Sequence, residues 1–424
     1  MLPSALAWIR IDGHRLDAAL RRRLFALYRP PQWLPCWFHG LWYLLVSRFA
    51  RLHVVIGFEG DCRRVAELCR SHGAHLSHEL AGVGCLCATV DPRVLQHLCC
   101  CDGVTRIWAD TEVRAMLDAA VPSAGAVQAV SRYSGQGVTI AVVDTGIYPH
   151  PDLSSRIIAF HDAVGKRTSA YDDNGHGTHV AGCAAGDGTR SRGQYRGPAA
   201  GALLVGVKVL NKTGSGTMSH LLDGIDWVIQ NRERYHIRIM SMSLGGTARG
   251  RCSEDPLCQA VGRAWDAGIV CVVAAGNEGP GGGTVATPGI SPKIITVGAM
   301  DDHSSPDRRD DTLASFSSRG PTPEGEHKPD VLAPGVNITA LRSPRSYVDK
   351  SNPDSRVGEW YATLSGTSMA TPLVSGLVAL LLEAEPGLTP NAVKARLRLT
   401  ADNWILGPDE QGAGYINADR MLGL

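Results

Sequence analysis

The chain has 424 residues, with 42 Lys and Arg against 41 Asp and Glu, so its formal net charge at pH 7 is +1. This balance gives no field that would favour nucleic acid as a partner, and 48 glycines without a short period exclude a collagen-like fibre. No run reaches the roughly 20 apolar residues that a membrane span needs, because Pro35, His39 and Gly40 interrupt the stretch 33–46.

The N-terminal segment, residues 1–50, is basic and aromatic. Up to Arg51 it contains eight arginines and two aspartates, and the first lysine of the chain is Lys166. Such a segment can lie on an anionic membrane surface, or it can be a helix packed on its own protein in an arginine-rich background. We favour the second interpretation, since the apolar run is modest.

Two features indicate a cytoplasmic protein. Charged residues are spread through residues 1–25, which leaves no apolar region of a secretory signal. Eight of the 12 cysteines precede residue 102, and the triplet Cys99–Cys101 cannot form an orderly set of disulfides. Its spacing from Cys85 and Cys87 is also poor for zinc. We expect a reducing compartment, with secretion by a non-standard route as the alternative.

Residues 52–110 predict a small α+β unit with the element order βαββαβ, which is that of a ferredoxin-like fold. Asp91 before Pro92 is typical of a helix start. This fold by itself indicates no function. We therefore divide the chain into three parts: residues 1–50, 51–118 and 119–424.

From Gly135 onward strands and helices alternate, which predicts an α/β domain with a mostly parallel sheet and helices on both faces. The β-branched run Val138–Asp144 ends in a carboxylate, at the strand end where open α/β sheets place their chemistry. His176 follows in a loop flanked by glycines. Asn277 follows another buried strand; a Gly-Asn pair is usually a turn, but its amide can also donate to an oxyanion.

Ser368 precedes the apolar run Leu373–Glu383, which predicts a buried helix of about three turns. Pro372 fits the first turn, where no intrahelical N–H bond is lost. Ser368 therefore lies at a helix N-terminus, where the dipole favours negative charge. A lone serine there is usually an N-cap, so its assignment depends on the other motifs.

These motifs resemble those of the subtilases, the subtilisin-like serine proteases, from about residue 120 to the end. The resemblance is most specific at four places: Asp144–Gly146, His176–Gly182, Ala275–Asn277 and Gly366–Pro372. The order Asp, His, Ser is that of subtilisin. Further stretches resemble AprX-type intracellular subtilases: Tyr148–Asp152, Val207–Gly216 and Phe316–Pro321.

The resemblance implies a serine endopeptidase that acts on polypeptides through an acyl-enzyme, with Asp144, His176 and Ser368 as triad and Asn277 as oxyanion donor. It also implies substrate-binding residues: Gly214, Ser215, Gly216, Ser243, Leu244, Gly245, Ala274, Ala275 and Gly276. Their small, uncharged side chains predict a P1 pocket for uncharged, apolar residues.

The small α+β unit resembles in its position the inhibitory and folding-assisting propeptide of the family. We expect Thr111–Ala120 to add as a strand to the substrate-binding edges and to contain the autoprocessing site, because Met116 and Leu117 suit an apolar P1 pocket.

Many secreted subtilases bind calcium in a loop after the catalytic histidine. Here that stretch, residues 184–197, is basic, whereas a hard cation needs six or more oxygen ligands. Asp152 matches a position that ligates calcium elsewhere in the family, but its partners are missing. Asp172 and Asp173 are candidates for a different metal site, but surface carboxylates beside a catalytic loop are more often solvated, and this is what we expect. We predict no metal residue and no required cofactor, with calcium as the open alternative.

Three other functions are compatible with parts of this pattern, and one of them, a maturation protease or peptide ligase of narrow specificity, stays open. An α/β-hydrolase esterase needs a histidine after the serine, and no histidine follows His327. An inactive protease that serves as a binding scaffold disagrees with the four filled positions. The endopeptidase remains the leading hypothesis.

Overall fold

The computed structural model describes residues 8–9, 13–31, 34–80, 85–109, 117–248 and 250–424. The chain divides into two compact units, residues 1–113 and residues 114–424.

The first unit contains four strands and four α-helices within its described residues. The strands are β1 (Leu52–Phe58), β2 (His75–Leu80), β3 (Cys85–Val90) and β4 (Val104–Ala109). The helices are α1 (Ala18–Tyr28), α2 (His39–Phe49), α3 (Cys62–Ser71) and α4 (Pro92–Cys99).

The strands form an antiparallel sheet in the order β2-β3-β1-β4. Buried residues alternate along β3, as expected for a sheet with one covered face. The side chains of Asp61 and Asp91 cap the N-termini of α3 and α4, which pack against the sheet. This order and pairing are those of the split βαβ unit that the sequence predicts.

The second unit is built on a larger sheet. Its strands are β5 (Thr139–Asp144), β6 (Ile157–Asp162), β7 (Leu203–Lys208), β8 (Ile237–Met242), β9 (Val270–Ala274), β10 (Ile295–Asp301), β11 (Thr312–Leu313) and β12 (Val331–Pro334). A small separate sheet contains β13 (Ile338–Leu341), β14 (Arg356–Val357) and β15 (Tyr361–Leu364).

The helices of this unit are α5 (Leu117–Ser123), α6 (Val127–Arg132), α7 (His176–Ala185), α8 (Met218–Asn231), α9 (Pro256–Asp266), α10 (Tyr347–Ser351), α11 (Thr367–Ala384), α12 (Pro390–Thr400), α13 (Pro408–Gln411) and α14 (Ala418–Met421).

The large sheet runs in the order β11-β10-β9-β8-β5-β7-β6, with β12 also paired to β10. Every pairing is parallel except that between β10 and the two-residue β11. All six residues of β5 are buried, as in a parallel strand covered on both faces. Helix α7 contacts α11, and α8 contacts α9, so two helix pairs cover the sheet. The predicted α/β architecture is therefore confirmed.

Helix α11 is long and apolar enough to cross a membrane by length and composition. However, 83% of its 18-residue window is buried inside the protein, where it contacts β8, β9 and β10. It is the core helix of this unit.

The expectation of an extended strand over Thr111–Ala120 is wrong at its C-terminal end. Residues from Leu117 onward form α5, because burial of Ala120 and Val121 against the unit's own core favours a helix. The earlier part of this segment lies outside the described residues.

Candidate active site

Asp144 and His176 meet where β5 ends and α7 begins. Nδ1 of His176 lies 2.8 Å from Oδ1 of Asp144, and since a carboxylate only accepts, the ring nitrogen donates. Asp144 is fully buried and its Oδ1 also accepts from the N–H of Thr145 at 2.7 Å. Burial lowers the pKa of His176, but the charge and hydrogen bond of Asp144 and the charge of Asp172 outweigh it, so the pKa lies above 6.5.

Asp172 organises the loop that carries His176. Its Oδ1 accepts from Thr145 Oγ1 at 2.9 Å and from the N–H groups of Asn174 and Gly175 at 3.1 and 2.8 Å. Its Oδ2 accepts from the N–H and the hydroxyl of Thr178 at 2.9 and 2.6 Å. The expectation of a solvated Asp172 is therefore wrong, because these five donors replace water around a buried carboxylate.

Glycines allow this loop to approach β5 closely. A Cβ on Gly177 would collide with the carbonyl oxygen of Gly146, and a Cβ on Gly146 would collide with that of Tyr171. Gly146 also has φ +111°, which side chains rarely tolerate. The motifs around Asp144 and His176 are thus in contact through their backbones.

Lys208 ties three segments together from a buried position. Its Nζ donates to the carbonyls of Thr145 and Leu210 at 2.6 and 2.8 Å and to Asp173 Oδ1 at 2.8 Å. Only 1% of the Lys208 side chain is exposed. The ammonium therefore links the end of β5, the His176 loop and the segment that leads to Gly214. The sequence pattern around Lys208 predicted only a substrate-binding strand.

Ser368 is the second residue of α11, and α11 contacts the helix that begins at His176. Ser368 Oγ donates to the Ser243 carbonyl at 3.2 Å, and Ser243 Oγ donates to the Ser368 carbonyl at 2.8 Å. The serine is therefore held at a helix N-terminus, as predicted from sequence, and at the carboxyl end of β8.

Asn277 is oriented by Thr367. The Oδ1 atom of Asn277 accepts from the N–H of Thr367 at 2.9 Å and from its hydroxyl at 3.1 Å. Since both donors hold the oxygen, the Nδ2 group is directed away from Thr367. The preceding Gly276 has φ +110°, which turns the chain after β9.

Two neighbouring pockets open beside Ser368. The first, of about 550 Å³, is lined by Ser368 and Asn277 together with these residues: Leu244, Gly245, Gly246, Thr247, Ala248, Ala274, Gly276, Glu278, Gly283, Thr284, Val285, Ala286 and Thr367. The second, of about 810 Å³, shares Leu244 and Gly245 and is also lined by Gly214, Ser215 and Gly216. Most of the predicted substrate-binding residues thus lie along one continuous surface.

Two predicted substrate-binding residues do not have their side chains on this surface. Ala275 is fully buried; its N–H donates to the Val297 carbonyl and its own carbonyl accepts from the N–H of Ala286. Ser243 uses its side chain to hold Ser368. Conversely, Arg251 and Glu254 line the larger pocket, and no local motif in the sequence singled them out.

Asp152 matches a position that ligates calcium elsewhere in the family, but here its oxygens have protein partners. Asp152 Oδ1 accepts from the N–H of Arg190 at 2.9 Å and Oδ2 from the Tyr361 hydroxyl at 2.5 Å. The carbonyls of Asp152 and Ala185 accept from the guanidinium of Arg156 at 2.5 and 2.7 Å. A protein cation and internal donors therefore occupy the oxygens that calcium would need. Among the described residues no group of three or more His, Cys, Asp or Glu side chains is arranged to hold a metal.

Comparisons with known proteins agree with this geometry. The model of the subtilase family matches residues 135–423. Serine protease AprX of Bacillus subtilis (strain 168) is 48% identical over 435 aligned residues, which cover 99% of this chain and 98% of AprX. Subtilisin DY of Bacillus licheniformis is 37% identical over an alignment that covers 68% of this chain and 91% of Subtilisin DY.

Solved structures show the same relationship. A cold-adapted subtilisin-like serine proteinase matches 66% of this chain and 87% of its own, with a TM-score of 0.52 and 33% identity. Sphericase matches 69% of this chain and 86% of the Sphericase chain, with a TM-score of 0.53 and 30% identity. The chain therefore belongs to the subtilase family and is a subtilisin-like serine protease.

Proposed function

We propose that the protein is an endopeptidase in which Ser368 is the nucleophile, His176 the general base and Asp144 the residue that orients the imidazole. The observation that carries the proposal is the 2.8 Å contact between His176 Nδ1 and Asp144 Oδ1. With the Nδ1 proton held there, the Nε2 lone pair is available to take the Ser368 proton. The serine oxygen then bonds to the scissile carbonyl carbon and forms a tetrahedral intermediate. The scissile C–N bond breaks as His176 gives the proton to the leaving amine, and the acyl-enzyme remains.

The oxyanion that forms during this attack would be stabilised by Asn277 Nδ2 and by the N–H of Ser368. The support is the fixed orientation of the Asn277 amide on Thr367 and the position of Ser368 at a helix N-terminus. Donors that are already oriented cost no reorganisation when charge develops.

The pocket of about 550 Å³ would receive the P1 side chain. Its walls are mostly small and uncharged, with Ala274, Gly276 and Ala286 among them and Glu278 as the charged exception. Uncharged apolar P1 residues should therefore be preferred, because a buried unpaired charge is costly. The segment 214–216 would pair with the substrate backbone as an added strand.

A serine-reactive fluorophosphonate probe tests the nucleophile. We expect the full chain to be labelled on Ser368, with labelling and casein hydrolysis both lost in Ser368→Ala and retained in Ser375→Ala. The Ser375 control lies on the same helix, where its hydroxyl is buried and bonded to the main chain. Equal labelling of the Ser368→Ala protein would contradict the assignment.

The N-terminal unit would act as an intramolecular inhibitor and folding aid that is removed by autoprocessing. The support is its compact split βαβ fold and its place directly before the protease unit. Mass spectrometry of the purified wild-type N-terminus should find cleavage between residues 111 and 120, and Ser368→Ala should accumulate the full-length chain. A fully active wild-type protein that keeps Met1 would contradict processing.

We further propose that the enzyme resides in the cytoplasm and needs no cofactor. No disulfide joins cysteines within the described residues, which suits a reducing compartment. Secretion by a non-standard route is the alternative, and fractionation of the producing cell distinguishes the two.

A further inference from the structure

Helix α2 packs on its own unit by one side only. Tyr43 and Val46 lie against the core of the first unit, and the Tyr43 ring is 6.3 Å from that of Tyr28. The Tyr28 hydroxyl in turn hydrogen-bonds Ser47 Oγ at 2.8 Å. The inner side of the helix is thus already used.

The opposite side of α2, with the turn before it, carries a stripe of exposed apolar side chains. Their exposure ranges from 42% for Leu45 to 77% for Trp37. The members of this outer stripe are Trp37, Leu41, Leu44, Leu45 and Phe49. Leu41, Leu44 or Leu45, and Phe49 recur every three or four residues, which places them on one face of α2, and Trp37 lies one turn before Leu41. Apolar residues scattered singly on a surface need no explanation, whereas a continuous stripe marks an interaction surface.

Charge narrows the kind of partner that fits the outer stripe. No Asp or Glu occurs between Asp17 and Glu59, and this interval holds six arginines. Arg48 and Arg51, at the C-terminal end of α2, are exposed, and neither forms an ion pair with a described carboxylate. The partner must therefore offer an apolar layer bordered by negative charge.

We propose that α2 docks the full chain on the surface of an anionic lipid bilayer. The outer stripe would enter the boundary between headgroups and acyl chains, and Arg48 and Arg51 would contact the anionic headgroups. The interpretation favoured from sequence, a helix packed on its own protein, holds for the inner side of α2, and the proposal adds a partner for the outer side. The proposal is independent of the peptidase mechanism.

A second copy of the chain fits this surface less well. A pairing of the outer stripes would bring together two surfaces of the same positive charge, and the interval between Asp17 and Glu59 supplies no carboxylate to compensate it. A bilayer that contains anionic lipid supplies both the apolar layer and the charge.

Vesicle flotation of the full-length Ser368→Ala protein tests the proposal, since this background keeps the N-terminal unit attached if autoprocessing occurs. We expect at least about ten-fold tighter binding to phosphatidylcholine vesicles with about 30% phosphatidylglycerol than to phosphatidylcholine alone, with the difference reduced at high salt. Absence of binding, or equal binding to both compositions, would overturn the proposal.

Two variants separate the apolar and the charged contributions. Leu41→Gln/Leu44→Gln/Phe49→Gln should weaken binding at least about 30-fold, whereas Leu399→Gln, on the second unit and 81% exposed, should leave it unchanged. Arg48→Gln/Arg51→Gln should weaken binding to the anionic vesicles about five-fold per arginine at low salt. Unfolding midpoints equal to the parent protein establish that each variant is folded.

Two outcomes of this series would overturn the proposal. The first is parent-like binding by the folded triple variant. The second is a dimer, detected by sedimentation without vesicles, that the triple variant dissociates; this would assign the outer stripe to a second copy.

Discussion

Ser243 and Ser368 each hydrogen-bond the main-chain carbonyl of the other, at 2.8 Å and 3.2 Å. This exchange fastens the carboxyl end of β8 to the first turn of α11. It also means that the Ser368 hydroxyl proton faces a carbonyl oxygen, so the hydroxyl must turn before it can donate to His176. Ser243 is thereby a positioning residue for the proposed nucleophile.

Replacing Ser243 by Ala should lower kcat/KM by about three- to ten-fold, which corresponds to the loss of one hydrogen bond that holds Ser368. Ser241→Ala is the control: Ser241 accepts from Ser375 at 2.9 Å on the same strand and helix but has no bond to Ser368. It should lower stability without the same loss of turnover. Steady-state kinetics and urea unfolding of both variants measure the difference.

Removing the Asn277 amide should lower kcat by about 10²–10³-fold, a magnitude taken from subtilisin. The loss should fall on kcat rather than KM, because the amide would act on charge that exists only in the transition state. Asn277→Asp is a useful companion, since it keeps the acceptor for Thr367 but removes the donor. Recovery of full kcat in Asn277→Asp would contradict an oxyanion role.

The pH profile should reflect the environment of His176. Because its pKa is raised, and because the base must be neutral, the acid limb of kcat/KM should lie above pH 6.5 and activity should fall below it. Asp172→Asn removes one of the two negative charges that raise this pKa, so the limb should move to lower pH. An unchanged or raised limb would show that Asp172 acts only by holding the loop.

Lys208→Met should destabilise the protein by about 1–3 kcal/mol and raise KM, because two main-chain carbonyls and Asp173 lose their buried donor. Lys212→Met is the matched control, since Lys212 is exposed on the adjoining segment. Urea unfolding gives the stability, and peptide hydrolysis gives KM. Equal effects of the two substitutions would contradict the role assigned to Lys208.

Thermal unfolding should be insensitive to EDTA and to added calcium at the Asp152 position. A cation present at 100 times its Kd would stabilise the protein by about 2.7 kcal/mol, a shift that a melting curve detects. Arg156→Leu should instead lower the midpoint, because its guanidinium holds the carbonyls of Asp152 and Ala185. A midpoint raised by calcium in wild-type protein would contradict this account.

The sequence predicted those residues of the site that lie at the end of a strand or the start of a helix. Asp144 was placed by a β-branched run and Ser368 by an apolar helix, and both patterns are local. The burial of Asp172 and the contacts of Lys208 could not be predicted, because they depend on segments far apart in the chain. The strand expected up to Ala120 was wrong for a similar reason, since tertiary burial favours helix there.

The backbone contact between Gly146 and Gly177 makes part of this site sensitive to residues that have no functional group. A side chain at Gly177 must separate the start of α7 from the segment after β5, and one at Gly146 must push that segment away from the Tyr171 carbonyl in the loop before α7. Such a change should displace His176 relative to Asp144 without altering either residue. A search for inactivating substitutions would therefore identify these glycines alongside the proposed triad. Small bases added to the solution would not restore the activity of the glycine variants.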